Sequence, residues 1–196
     1  MDTTEKIKDT IMNMLTEHNA DDISVKMFAM ESGISRQTLY NHYYNLLDAV
    51  EDAYRTDLEK GLRGRDTYHN WVEGFRALLM TIYARKDAYL HIYNSSRRED
   101  LIQIIGNHGK ALVEKGITDC ARDKGMVVSD KDRKFMTRFY MNVFMGIIKD
   151  FLEGRMTEDP EYIASRCDAM MRHHIRTTLD NIRSIEQGTF DRTGTD

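Results

Sequence analysis

The chain has 196 residues, of which 41 % are hydrophobic and 31 % charged, and its formal net charge is −4. That length suits one core with a small additional domain, and no apolar run approaches the roughly 20 residues of a membrane span. One proline, twelve glycines and no long alternating run favour an all-α fold. The polar N-terminus is unlike a signal peptide, so we expect a cytoplasmic protein. The isolated Cys120 and Cys167 indicate neither a disulfide framework nor a zinc site.

The first predicted helix covers residues 2–18. Asp2 and Glu5 have the spacing of a capping box, in which two side chains bond free N–H groups of the first turn. One apolar stripe at helical spacing predicts the buried face of this helix, and it contains Ile7, Ile11, Met14 and Leu15.

The next segment has the pattern of two short helices joined by a tight turn. Ser24 is a favourable N-cap, and Gly33 supplies the left-handed backbone conformation that closes a helix. Ser35 caps the following helix, and Ile34 and Leu39 have the spacing of a hydrophobic staple. Such a tight joint is typical of a helix-turn-helix.

The second helix of this pair carries side chains that suit a DNA groove. No acidic residue lies between Ser32 and Leu47, so an anion can approach. Arg36 and Gln37 are the expected base readers, because each can make paired hydrogen bonds to a base edge. The alternative is a solvated helix face. The remaining predicted DNA-binding residues, several of them phosphate contacts, are Lys26, Ser35, Thr38, Tyr40, Asn41 and His42.

This segment resembles the DNA-binding domain of the TetR family of bacterial transcription regulators. The family signature runs Thr-Ser-Val, three residues, Ala, three residues, Gly-Val-Ser, two residues, Thr-Leu-Tyr, one residue, His-Phe. Leu46 and Leu47 stand where the family usually has Lys, and Gln37 stands where Gly or Pro is common. The matching residues are Ser24, Val25, Ala29, Gly33, Ile34, Ser35, Thr38, Leu39, Tyr40, His42 and Tyr43, the last of which we expect in the core.

The charge of the N-terminal region is unusual for a DNA-binding domain. Residues 1–50 contain four Lys or Arg and eight Asp or Glu, a net charge of −4. A basic surface normally supplies non-specific affinity. We therefore expect weak non-specific binding, with specific contacts on one face and support from dimerisation.

The middle of the chain predicts four further helices. The first runs from Leu46 to Gly61, and the resemblance implies that it transmits a ligand signal. Asn70 and Glu73 have capping spacing before the next, Asp87 is expected to cap a short one, and Ser96 and Glu99 a longer one. We expect an interruption of that longer helix near Gly106 and Gly109, and its end at Gly125.

Two strongly apolar helices complete the pattern. Ser129 caps the first, which Gly154 ends, and Pro160 opens a single final helix that extends to about Ile185. Residues 188–196 are expected to be disordered. In the family such helices form a four-helix bundle across a two-fold axis. The predicted homodimer interface contains Phe139, Val143, Ile147, Phe151, Met170 and His174.

Aromatic and histidine residues of the middle helices are candidates for an effector pocket, which the resemblance places in this region. The alternative for each of them is ordinary core packing, and the same holds for His91. Thirteen methionines fit an adaptable pocket or interface. The predicted ligand-binding residues are Trp71, Phe75, Tyr83, Tyr89, Tyr93 and His108.

No constellation for catalysis or metal binding is visible in the sequence. Glu-x-x-His, a phosphate-binding glycine loop and a nucleophile elbow do not occur. The adjacent His173 and His174 point about 100° apart on a helix, and Asp87 with His91 lacks a third ligand. A helical-bundle enzyme is therefore disfavoured, and we expect neither cofactor nor metal.

The sequence thus predicts a helix-turn-helix domain over residues 1–47 and a helical ligand-binding and dimerisation domain over residues 48–187. The predicted function is that of a TetR-type regulator, with repression as the expected action. It would bind palindromic operator DNA as a homodimer and leave it when a small-molecule effector binds. The alternative keeps the fold without the effector, as a constitutive regulator or as an activator that recruits a coregulator.

Overall fold

The computed structural model describes residues 2–63, 71–171 and 173–189, and all regular structure within them is helical. This confirms the all-α prediction. None of the described helices combines the length and apolar character that a membrane span requires. The ten described helices are α1 (Thr3–Met14), α2 (Val25–Ser32), α3 (Arg36–His42), α4 (Leu46–Leu62), α5 (Trp71–Ala84), α6 (Lys86–Tyr93), α7 (Arg98–Asp123), α8 (Asp130–Leu152), α9 (Pro160–Met171) and α10 (His174–Glu186).

Helices α2 and α3 form the predicted helix-turn-helix. The Ser24 hydroxyl accepts a hydrogen bond from the Met27 N–H, and the Ser35 hydroxyl accepts one from the Thr38 N–H, so both predicted caps are confirmed. Gly33 closes α2 with φ of 64°, a conformation that favours glycine. Helix α1 packs against α2 and α4 and completes a three-helix unit around fully buried apolar side chains, which include Ile7, Ile11, Leu15, Phe28 and Leu39.

The predicted first helix is too long at its C-terminal end. Helix α1 ends at Met14, and residues 15–18 form turns. The Thr16 backbone N–H and hydroxyl both donate to the Asn13 carbonyl, at 3.0 and 2.6 Å, and so satisfy an end carbonyl locally. The predicted capping box is also wrong, because the Asp2 side chain makes no capping bond.

Helix α4 runs from the three-helix unit into the body of the molecule. Asn45, which was not among the predicted caps, caps it by accepting a hydrogen bond from the Asp48 N–H. Tyr54 and Leu58 are buried further along the same helix, where it packs against α5 and α7. The predicted cap Asn70 lies outside the described residues.

The predicted starts of α6 and α7 are wrong. Asp87 lies within the first turn of α6, and Arg85 precedes the helix without a capping bond. Ser96 does not cap α7, because its hydroxyl and N–H both donate to Asp21. Helix α7 is also uninterrupted through Gly106 and Gly109. Helix α7 packs along α8, and this packing outweighs the weak helix propensity of glycine.

The C-terminal part confirms some predictions and corrects one. Ser129 caps α8, Gly154 follows its end with φ of 71°, and Pro160 is the first residue of α9. The single final helix is wrong: α9 ends at Met171, and α10 begins at His174. The two helices have different partners, since α9 packs on α5 and α10 on α7. The predicted disordered tail lies outside the described residues from residue 190 onward.

Two apolar clusters form the interior. The larger extends without a gap from Ile7 in α1 to Cys167 in α9, and α4 contributes to it along its length. The smaller joins α7, α8 and α10, with Ile117, Tyr140 and Leu179 at its centre. Helix α4 therefore belongs to the same apolar core as α1 and α9. A displacement of α4 would also displace the residues of α1 that pack against it.

Candidate nucleic-acid interface and effector cavity

Helix α3 presents its polar residues to solvent. Of the eight predicted DNA-binding residues, seven are exposed and only Thr38 is half-buried. Leu39 on the opposite side is fully buried and anchors the helix on the core. The guanidinium of Arg36 and the ammonium of Lys26 have no hydrogen-bond or ion-pair partner among the described residues. Both cations are therefore available to an anionic ligand.

Hydrogen bonds within α3 orient two of its side chains. The Gln37 Nε2 donates to the Asn41 Oδ1 at 3.0 Å, one turn further along. The Ser35 and Thr38 hydroxyls lie 2.8 Å apart at the N-terminus of the helix. The amide oxygen of Gln37 has no hydrogen-bond partner among the described residues. The Ser35 and Thr38 side chains are held at the N-terminal cap.

A polar network fixes the C-terminal end of α3 against α1 and α4. The Tyr43 hydroxyl donates to the Asp52 Oδ2 at 2.7 Å, and the Lys8 Nζ lies 3.3 Å from that same oxygen. Burial, and then the Asp52 carboxylate, raise the pKa of the half-buried Tyr43 hydroxyl, which stays protonated. His42 adds a contact of 3.4 Å between its Nδ1 and the Thr4 Oγ1. The predicted core role of Tyr43 is thus only partly correct.

Tyr44 is a candidate contact residue that was not predicted from the sequence. Its side chain is 92 % exposed in the turn between α3 and α4, just after the end of α3. Tyr40, Tyr43 and Tyr44 flank His42 in the sequence, and only Tyr43 of these three packs against the core, which was a signal for a surface role of the other two.

A second contact joins the α1–α2 connection to the body, in addition to α4. The Asp21 carboxylate accepts hydrogen bonds from the Ser96 N–H at 2.8 Å and hydroxyl at 2.6 Å. These two bonds, the hydroxyl first, hold the pKa of Asp21 below its usual range. The His91 Nδ1 lies 2.8 Å from the Leu15 carbonyl. We call this set the α1–α6 contact; it also includes the bond from the Asn19 side chain to the Asn94 carbonyl.

An apolar cavity lies in the body, between the end of α4 and helices α5, α7 and α8. It encloses about 80 Å³ of space accessible to the centre of a water molecule. Two of the residues predicted to bind an effector, Phe75 and His108, lie in its lining. The other lining residues are Leu58, Leu62, Gly74, Leu78, Ile105, Gly109, Leu112, Val113, Gly116, Tyr140, Met141, Phe144, Met145, Ile148, Met171 and Ile175.

The predicted pocket tyrosines do not line this cavity. Tyr89 is buried against α4, and its hydroxyl donates to Asp57 at 2.9 Å. Tyr93 donates to Glu153 at 2.5 Å and carries the Arg98 guanidinium 4.0 Å above its ring. Tyr83 is exposed on α5. Trp71 begins α5, and its side chain lies outside the described part of the chain.

Burial raises the pKa of both Tyr89 and Tyr93, and each neighbouring carboxylate adds to the effect. The neutral Tyr89 hydroxyl therefore links α6 to α4 by a hydrogen bond, and the neutral Tyr93 hydroxyl links α6 to the end of α8. Among the described residues, no three His, Cys, Asp or Glu side chains converge on a point where a metal ion could bind.

Four of the six predicted dimer residues are exposed: Phe139 and Val143 on α8, Met170 on α9 and His174 on α10. Phe139, Val143 and Met170 have exposed fractions of 47, 37 and 76 %. The ring of the exposed His174 stacks on Phe139, with centroids 6.3 Å apart and an interplanar angle of 10°. Phe135, in the same row of α8, is 70 % exposed and extends this surface.

Phe151 is the exception in the predicted interface. It is only 3 % exposed, within the core of its own chain, and its ring centroid lies 6.3 Å from that of Tyr83. It therefore has no surface to offer a second subunit. Ile147 is half-buried and packs partly against the larger core cluster.

Comparisons with known proteins agree with this architecture. A TetR-family model described as "Transcriptional regulator C-terminal region" matches residues 69–173, more than half of the chain. No curated protein matches the chain in sequence. The solved structure of "Dihydroxyacetone kinase operon activator DhaS" is similar, with a TM-score of 0.71 and 19 % identity over 89 % of this chain and 97 % of that chain. At that identity the likeness shows the fold. The family match is what assigns the chain, which belongs to the TetR family of transcriptional regulators.

Proposed function

We propose that this regulator binds palindromic operator DNA as a homodimer and is released from it by a small-molecule effector in the α4–α8 cavity. The observation that carries the DNA-binding part is the exposed face of α3. There the unpaired Arg36 lies in a segment without acidic residues, and the buried Leu39 fixes the helix from behind. An exposed, anchored helix with a free guanidinium suits major-groove readout.

The contacts divide into base readers and register contacts. Arg36 and Gln37 read bases, Arg36 toward guanine and Gln37 toward adenine. Lys26, Tyr40 and His42 contact phosphates and set the register, together with Ser35, Thr38 and Asn41, and Tyr44 joins them from the adjacent turn. The negative charge of residues 1–50 does not oppose this arrangement everywhere. Asp21, for example, is engaged by Ser96 on the body side of the three-helix unit.

Dimerisation follows from the size of the recognition helix. A seven-residue helix reads only a few base pairs, so two must enter successive major grooves about 34 Å apart. The exposed apolar surface of Phe135, Phe139 and Val143 on α8, with His174 of α10 beside it, is the surface on which we place the two-fold axis. We put the boundary between the DNA-binding and effector-binding domains at residues 47 and 48, within the first turn of α4.

Helix α4 supplies the route from cavity to operator. Leu58 and Leu62 near its end line the cavity, while its first turns pack on α1. A ligand that displaces the end of α4 would shift the three-helix unit and the spacing of the two recognition helices. Linkage requires that this ligand bind the DNA-incompetent state more tightly. Repression is then relieved by ligand, and we assign the chain no enzymatic role.

A second candidate is a regulator that activates transcription. The similar solved structure is that of an operon activator, although its 19 % identity transfers only the fold. A promoter-reporter assay distinguishes repression from activation. Deletion of the gene for this protein should raise the reporter signal if it is a repressor and lower that signal if it is an activator.

Selection from random double-stranded DNA tests the proposal without knowledge of the operator. We expect enrichment of an inverted repeat whose half-sites are about 10 base pairs, or a multiple of one turn, apart. Loss of enrichment with the Arg36→Ala protein would assign the readout to α3. Recovery of unselected sequence would contradict operator recognition.

A further inference from the structure

The α4–α8 cavity has a lining that restricts the chemistry of its ligand. The eighteen lining residues within the described part of the chain include no Asp, Glu, Lys or Arg. Leucine, isoleucine, valine, methionine and phenylalanine supply most of the wall. A charged ligand would lose its hydration there without a fixed opposite charge, and that loss is large in an apolar site.

Among the described lining residues, two side chains offer strong hydrogen-bonding groups, and one of them is already engaged. The Tyr140 hydroxyl lies 2.9 Å from the His174 Nδ1 and 3.4 Å from the Thr178 Oγ1. Burial raises the pKa of that hydroxyl, so it remains a neutral group. The half-buried His108 ring has no hydrogen-bond partner among the described residues. His108 is thus the polar group that a ligand would meet.

The size of the cavity limits the ligand further. Its volume of about 80 Å³ is below that of an engineered apolar cavity of about 150 Å³ that accepts benzene. Met141, Met145 and Met171 form part of the wall, and the flexible methionine side chain adapts to the shape of a ligand. A single ring or a short alkyl chain is therefore the appropriate size.

We infer that the effector is a small uncharged molecule, with one ring or a short alkyl chain and a single hydroxyl or carbonyl group that hydrogen-bonds to His108. This inference rests on the proposed sensor function and names the ligand class of its cavity. Small carboxylates and phosphates are disfavoured, because the described lining residues include no lysine or arginine to pair with them. Sugars and other polyols are disfavoured as well, since most of their hydroxyls would meet apolar wall.

Three probes that share one ring test the inference by isothermal titration calorimetry at pH 7: phenol, benzene and benzoate. We expect phenol to bind with a Kd near or below about 1 mM. Benzene should bind more weakly, and benzoate at least tenfold more weakly than phenol. Benzoate affinity equal to that of phenol, or no binding of phenol up to about 10 mM, would overturn the inference.

Variants of α7 locate the bound probe. Leu112→Trp fills the cavity and should abolish phenol binding, whereas Ala111→Trp, at an exposed neighbouring position, should leave it intact. His108→Phe should remove the preference for phenol over benzene while it keeps the ring site. Circular dichroism verifies the fold of each variant. Unchanged phenol affinity in folded Leu112→Trp, or a retained preference in His108→Phe, would contradict the site.

DNA binding by the same protein separates this inference from the proposed function. Operator binding without phenol binding would defeat the ligand class and leave the regulator intact. Phenol binding to a protein that selects no DNA sequence would defeat the operator proposal and leave the cavity chemistry standing.

Discussion

Arg36 and Lys26 have the same charge but different positions, and we assign them different roles. Arg36 lies at the first position of α3, and Lys26 lies on α2 behind it. Base contacts discriminate between sequences, whereas phosphate contacts act on every sequence alike. Substitution of Arg36 should therefore reduce the preference for the operator sequence, whereas substitution of Lys26 should reduce the affinity for all DNA.

We predict that Arg36→Ala weakens operator binding by about 1–3 kcal/mol and lowers the preference over random DNA. Lys26→Ala should weaken binding to both DNAs equally and reduce the slope of log K against log salt by about 1. Salt titrations by fluorescence anisotropy measure both effects. Arg122→Ala is the matched control, since this exposed arginine of α7 pairs with Asp119 far along the chain from α3. If all three variants lost the same amount of sequence preference, the assignment of base readout to α3 would be contradicted.

The sequence predicted residue roles well where the cause is local. Ser24 and Ser35 cap their helices because the bonded N–H lies three residues away. Ser96 has the same capping spacing but bonds Asp21, which is 75 residues distant. A distant partner that the tertiary structure brings close can replace the local capping bond. The sequence alone does not show that such a partner exists.

At the scale of elements, the two glycines Gly33 and Gly106 show why glycine is ambiguous in sequence. Gly33 has φ of 64° and ends α2, while Gly106 lies inside the continuous α7. We predict that Gly33→Ala destabilises the fold by about 1–2 kcal/mol, because alanine is strained at positive φ. Gly106→Ala should stabilise it by up to about 1 kcal/mol, since a Cβ there meets nothing within 4 Å. Urea unfolding measures both; destabilisation by Gly106→Ala would mean that α7 is not a regular helix there.

The α1–α6 contact provides a prediction about pH. The folded-state pKa of Asp21 is lowered, so its stabilisation is present above the ordinary carboxylate range near pH 4 and is lost as the pH falls through the folded value. Asp21→Ala should lower the free energy of unfolding by about 1 kcal/mol at pH 7. Once the pH falls below the lowered folded-state pKa of Asp21, the variant and the wild type should approach equal stability. A difference that persists at low pH would assign the effect to another cause.

Asp22→Ala is the control for that experiment. Asp22 is exposed next to Asp21, and its side chain makes no hydrogen bond to the described residues. Its removal changes the charge equally without breaking the α1–α6 contact. We expect a change in unfolding free energy within about 0.5 kcal/mol for this variant.

Element ends were harder to predict than element existence. Every predicted helical segment in the described chain contains a helix, because the apolar stripes are strong. The uninterrupted α7 and the break between α9 and α10 were not predictable, since both depend on which helix each segment packs against. The glycines of α7 suggested an interruption, but the helix is continuous. The continuous apolar pattern after Pro160 suggested one helix, but the chain forms two.

At the scale of the whole molecule, assembly and cavity are products of tertiary packing. One row of α8 residues, Phe139, Val143, Ile147 and Phe151, was predicted at the dimer interface, but the sequence did not show where along that row the exposure ends. The row with Met136, Tyr140 and Ile148 is buried, while Phe135 and Phe139 of the other row are exposed. Likewise, aromatic residues suggested the pocket, but aliphatic residues and glycines form most of its wall. Aromatic content does not reveal which tyrosines have carboxylate partners.

We predict that Phe139→Glu converts a dimer to a monomer at micromolar concentration, because two carboxylates would oppose each other near the two-fold axis. Light scattering after gel filtration measures the mass. Val127→Glu makes the same chemical change at a side chain that is 96 % exposed in the α7–α8 connection, and it should remain dimeric. A dimer that survives Phe139→Glu would place the interface elsewhere.

The central claim is that α3 reads operator DNA, and one measurement tests it most directly. Fluorescence anisotropy of the wild type and an Arg36→Ala, Tyr40→Ala double variant is recorded at two salt concentrations, on DNA from the region upstream of the gene and on random DNA. We predict nanomolar, salt-sensitive binding to the upstream DNA that the double variant loses. Equal wild-type affinity for the two DNAs would contradict a regulator of its own promoter region.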